Sequence, residues 1–152
     1  MKFKFIIVVA LSLFISNYSS IFGEDPIYQI NDLQYSYSNG YGMNQDVIYN
    51  LDCENKCTLK IKEYEKPDDD IITIKLSNKD MDKFVSILNK NHIASWKGFS
   101  KSDKNVLDGD SFSFHLRYND DEKLSASGYM MYPNHYNSFQ KEFEKYVDSL
   151  KK

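Results

Sequence analysis

Ser111-Phe112-Ser113-Phe114-His115-Leu116-Arg117-Tyr118 is the stretch on which the fold turns. Apolar and polar side chains alternate through it without a break, the period of a strand with one face buried and one face wet. Phe112, Phe114, Leu116 and Tyr118 point one way; Ser113, His115 and Arg117 point the other. Asn119-Asp120-Asp121-Glu122 supplies turn residues. Leu124, Ala126 and Gly128 then form the inward set of a return strand. Inward residues must oppose inward residues across a hairpin, so the loop holds an odd number of residues. Pairing Tyr118 with Leu124 meets that condition. It sets Phe114 against Gly128, His115 against Ser127 and Arg117 against Ser125.

Upstream, four more runs alternate: Leu33, Tyr35 and Tyr37; Val47, Tyr49 and Leu51; Leu59 and Ile61; Ile72, Ile74 and Leu76. Residues 24–32 read as a lead-in. Asn39-Gly40 marks a turn, Tyr41-Gly42 keeps the backbone loose, and Pro67-Asp68-Asp69-Asp70 is a solvated loop by composition. Pairing Leu51 with Leu59 also pairs Tyr49 with Ile61, and the same register brings Cys53 opposite Cys57 across Glu54-Asn55-Lys56. A disulfide there is a hairpin staple, contributing roughly 2 kcal/mol for so short a loop. A redox pair or half a metal site is the alternative. The spacing is C-x3-C rather than C-x2-C, and no further ligands cluster beside it.

After Leu76 the period lengthens. Ser77-Asn78 can cap a helix, Asp80 and Asp82 suit its first turn, and Met81, Phe84, Val85 and Leu88 share one face. That helix should end near residues 89–91. Trp96-Lys97-Gly98-Phe99 follows, and residues 100–110 read as polar and irregular. Tyr132-Pro133-Asn134 opens a last helix, with Phe139, Phe143, Tyr146, Val147 and Leu150 at helical spacing. The pattern predicts an α+β domain over residues 24–152, in the order ββββαββα. It has a mainly antiparallel sheet of about six strands and two helices on one face. The other face is then the natural place for polar function.

Residues 1–23 read as an address. Lys2 and Lys4 precede an apolar run from Phe5 to Ile15, which gives way to Asn17-Tyr18-Ser19-Ser20 and then Gly23 before the acidic Glu24-Asp25. This is the layout of a secretory signal peptide, with cleavage expected near Gly23. The apolar run is about half the roughly 20 residues that a spanning helix needs. Export to the periplasm or the extracellular space follows as an expectation, and it suits the disulfide.

The chain has 152 residues, 41% hydrophobic and 15% aromatic, enough for a packed core. Lys plus Arg number 19 and Asp plus Glu 22. Leaving out Lys2 and Lys4 with the leader, 17 basic residues face 22 acidic ones. No basic excess exists to neutralise phosphates, so a nucleic-acid partner is not expected.

A Trp96-Lys97-Gly98-Phe99 element, Asp103, Val106-Leu107-Asp108-Gly109-Asp110-Ser111-Phe112, Ser125-Ala126-Ser127-Gly128 and Tyr132-Pro133 together form a pattern. It resembles a widespread bacterial family of exported domains of unknown function. The resemblance covers residues 92–135, about a third of the mature chain, and carries no catalytic residue with it.

Three groups could carry chemistry. Asp103, Asp108 and Asp110 make an acid-rich loop of a kind that binds calcium, although the EF-hand pattern fails: residue 107 is Leu and no Glu stands at 114. Ser113, His115, Arg117, Lys123, Ser125 and Ser127 share the outward face of the hairpin and could bind an anion or assist acyl transfer. Tyr37, Tyr41, Tyr49 and Tyr64 could form an aromatic binding surface, or could simply be strand residues. His92 and His135 lie near helix ends, where surface or capping roles are expected. No metal or other cofactor is expected, since no H-E-x-x-H or similar motif occurs. The reading that follows is a non-enzymatic exported module that binds a protein or an envelope ligand through its open sheet face or its 99–110 loop. A small hydrolase using His115 with Ser125 or Ser127 is the alternative.

Overall fold

A computed structural model describes residues 24–40, 46–63, 66–67 and 70–152. The expected leader, Tyr41, Tyr64, Asp68 and Asp69 lie outside them. The elements run β1 (Ile30–Ser38), β2 (Val47–Asp52), β3 (Thr58–Glu63), β4 (Ile72–Lys75), α1 (Asn78–Lys90) and a 3-10 turn (Ile93–Trp96). β5 (Ser100–Ser102), β6 (Ser111–Tyr118), β7 (Glu122–Tyr129) and α2 (Tyr136–Leu150) follow. Among the described residues the strands form a single seven-stranded sheet in the order β4-β3-β2-β1-β6-β7-β5. The class is α+β as expected, with one strand more than the alternation revealed. β5 is that strand. Three residues are too few to display a period, and Ser100–Ser102 become a strand only by pairing parallel to β7.

Each of the four upstream runs forms a strand. The β2–β3 register has Leu51 opposite Leu59 and Tyr49 opposite Ile61, and Cys53 and Cys57 are joined in a disulfide. The β6–β7 register differs from expectation by two residues. Tyr118 pairs with Glu122, Phe114 with Ala126, Phe112 with Gly128, Ser113 with Ser127, His115 with Ser125 and Arg117 with Lys123. The loop is three residues long, Asn119 to Asp121, rather than five. Asn119 and Asp121 both take positive φ, 49° and 71°, which short polar side chains tolerate. The Asn119 side chain then locks the turn. Its oxygen accepts from the Tyr28 and Gln29 amides at 2.9 and 3.2 Å, and its Nδ2 donates to the Pro26 carbonyl. Both loop lengths are odd, so every side chain keeps its face while its cross-strand partner changes.

The apolar face of the sheet is paved with rings. Tyr35, fully buried on β1, lies 5.8 Å from Tyr49 and from Phe114, and 5.5 Å from Phe139 and Phe143 of α2. Phe84 of α1 packs on Phe143 and Tyr146, so both helices join one core over one face. Ser77 caps α1 through a reciprocal box. Its hydroxyl accepts from the Asp80 amide, and the Asp80 carboxylate accepts from the Ser77 amide. These bonds hold the Asp80 carboxyl below the usual carboxylate range.

Trp96 lies within this core. It is ringed by Phe112, Phe114, Tyr136 and Phe139, and its indole donates to the Asn134 carbonyl. Gly128 is required for space, since a Cβ there would stand 2.0 Å from the Met131 carbonyl oxygen and 2.6 Å from Phe112. Pro133 precedes α2 instead of opening it, its carbonyl accepting from the Tyr136 amide.

Candidate functional site

Among the described residues the reverse face of the sheet is polar along a row that crosses its middle. The registers align Thr73, Lys60, Asn50, Gln34, His115 and Ser125 in one row across six strands, and all six are exposed. At about 4.8 Å between strands the row spans roughly 24 Å. Its sequence signal was the outward alternation of each strand; the alignment between strands came only with the registers.

His115 is the one member of the row held at both ring nitrogens. Ser113 Oγ lies 3.1 Å from Nε2, and Ser125 Oγ lies 3.0 Å from Nδ1. Ser113 is two residues along the same strand, so it shares the face by strand period. Ser125 stands directly across on β7. Ser127, the partner expected from the five-residue loop, instead donates to the Ser100 hydroxyl at 3.4 Å.

Arg117 is tethered. Its Nε bonds the Asp32 carboxylate on β1 and its Nη1 lies 3.2 Å from Asp121. The Asp32 carboxylate pushes the guanidinium pKa further up, so its charge is permanent. Lys123, opposite Arg117 on β7, is exposed and forms no ion pair among the described residues. A shallow depression of about 450 Å³ opens here, lined by His115, Arg117, Lys123, Ser125, Asp32 and Asp121.

The other candidates come apart. Tyr49 is buried and Tyr37 packs against the core, so these tyrosines are core and not an aromatic binding surface. Burial and Glu144 push the Tyr37 hydroxyl up to about 12. Asp103 turns a carboxylate oxygen onto the Asn105 amide, while the Asp110 backbone bonds Met130. Among the described residues no group of three or more His, Cys, Asp or Glu side chains is placed to hold a metal ion. His92 and His135 occupy N-cap positions with left-handed backbone, but neither side chain makes a capping bond; their rings lie 5.2 Å apart instead. No helix among the described residues is long and apolar enough to cross a membrane.

Comparison of the chain with models of protein families, with curated proteins and with solved structures returns no match.

Proposed function

We propose that this is a non-enzymatic exported module that binds a protein or envelope ligand on its open sheet face. The exposed six-residue row running from Thr73 to Ser125 carries the reading. A polar surface spread across six strands offers hydroxyl, amide and cationic groups over a breadth suited to a macromolecular partner. The leader-like first 23 residues, the Cys53–Cys57 disulfide and the resemblance to exported bacterial domains agree with that setting.

The test is sedimentation with cell-envelope fractions, using protein that spans residues 24–152 with the disulfide intact. Wild type should co-sediment, and a Gln34→Arg, His115→Ala double variant should not. Lys141→Ala, on the exposed side of α2, serves as control. Equal co-sedimentation of all three would remove the open face from the function.

One observation favours a hydrolase as the second reading: the Ser125 hydroxyl within hydrogen-bond reach of His115, with Ser113 on the other ring nitrogen. Against it, β6 is a central strand whose amides are spent on the ladders to β1 and β7, leaving no backbone donors for an oxyanion. Turnover of nitrophenyl esters that disappears in Ser125→Ala with unchanged thermal stability would favour this reading.

A further inference from the structure

The sheet ends in two edges, β4 and β5. Among the described residues no strand pairs with the outer side of either, and the two edges differ in what they invite.

On β4 the outward backbone groups follow from the ladder. The Leu76 amide donates to the Cys57 carbonyl, and antiparallel bonding recurs at every second residue. Ile74 and Ile72 therefore spend their amides and carbonyls on Leu59 and Ile61, while Thr73 and Lys75 direct theirs away from the sheet. The side chains divide in the same way. Ile72, Ile74 and Leu76 pack against the core yet remain partly exposed, whereas Leu59 and Ile61 beside them on β3 are 2% and 1% exposed. Thr73 and Lys75 stand exposed on the polar face.

This edge is complementary to itself. Two copies laid antiparallel, with Thr73 opposite Lys75 of the second copy, place Ile74 against its own counterpart on a two-fold axis and Ile72 against Leu76. Each Thr73–Lys75 pair then exchanges two N–H···O bonds, so every outward group of both residues is used. Apolar side chains meet apolar ones, and no lysine faces a lysine. Sliding by two residues one way sets Lys75 against Lys75, a like-charge pair. Sliding the other way carries Lys75 past the end of β4, opposite Ile71.

β5 lacks this complementarity. The Ser127 amide donates to the Phe99 carbonyl and the Asp103 amide to the Tyr129 carbonyl, so Ser100 and Ser102 hold the outward groups. Pairing those two antiparallel with a second copy sets Lys101 against Lys101, and none of the three side chains of β5 is apolar. A lysine on an edge strand is a common guard against such pairing.

We propose that the chain associates with a second copy of itself through β4, joining two seven-stranded sheets into one, with both open faces on the same side. The proposal stands on the edge alone and is independent of what the open face binds.

The test is sedimentation equilibrium of protein spanning residues 24–152, which holds every strand and helix of the fold, over about a hundredfold range of concentration. The mean mass should climb from one chain toward two. Thr73→Pro removes an outward amide and no ladder bond, so it should weaken association at least about tenfold with thermal stability unchanged. Charge then reads the register. Thr73→Glu faces Lys75 on both sides of the axis and should tighten association about fivefold, and Thr73→Lys should weaken it by a similar factor. A single-chain mass at every concentration overturns the proposal and leaves the edge to an extended segment of another protein. So does a dimer indifferent to Thr73→Pro, or one that Thr73→Glu and Thr73→Lys shift in the same direction.

Discussion

The two faces of the central strands β1, β6 and β7 share one backbone and answer to different physics. On one, Tyr35, Phe114 and Leu124 are sealed beneath α1 and α2. On the other, Gln34, His115 and Ser125 occupy the neighbouring positions and stand in water. The first face holds the fold together through area removed from water and through ring contacts. The second is exposed, so its side chains are free of the packing constraints that fix the first. Side-chain hydrogen bonds are present there too, but water competes for each of them.

Truncating a core ring is the most damaging test of this contrast. Phe114→Ala should cost about 3–5 kcal/mol, combining lost burial with an unfilled cavity among Tyr35, Trp96 and Phe139. Urea unfolding measures it; a loss below about 1 kcal/mol would mean that this face is not the load-carrying one.

Alkaline titration probes the same face without mutation. Burial raises the pKa values of the Tyr35, Tyr49, Tyr136 and Tyr146 hydroxyls, so the folded chain keeps those protons when the unfolded chain has lost them. A raised folded pKa contributes stability that is complete below the unfolded value, near 10, and is lost as pH climbs beyond it. The urea midpoint should therefore fall steeply above about pH 10, and Tyr35→Phe should make that fall shallower. A midpoint that stays level from pH 9 to 11 would contradict the burial of these hydroxyls.

The smallest effect belongs to the open face. His115→Ala should alter stability by less than about 0.5 kcal/mol by the same urea measurement, as expected for an exposed site. A loss of 2 kcal/mol would erase the distinction between the faces and make the Ser113–His115–Ser125 bonds structural.

The candidate site was legible as a set and illegible as a geometry. Alternation placed Ser113, His115, Arg117, Ser125 and Ser127 on one face, because side chains on a strand switch sides at every residue. It gave His115 the wrong partner, because sliding a strand by two residues preserves every face. The β2–β3 hairpin escaped this ambiguity, since two cysteines can close only where they meet and so report the register from the sequence. No such marker stands in β6–β7. β5 was hidden for a related reason: it is a strand only because β7 offers it an edge.

Composition, period and spacing determined on their own the class, both helices, the stapled hairpin and the side on which each strand residue stands. These depend on burial, backbone sterics and turn chemistry between near neighbours. The tertiary structure decided which serine meets His115, through the pairing of β6 with β7. The β6–β7 ladder closes after three residues, and Asn119, the first of them, bonds the Tyr28 and Gln29 amides and the Pro26 carbonyl through its side chain. Strand alternation repeats every two residues and carries no trace of which odd loop length closes the hairpin.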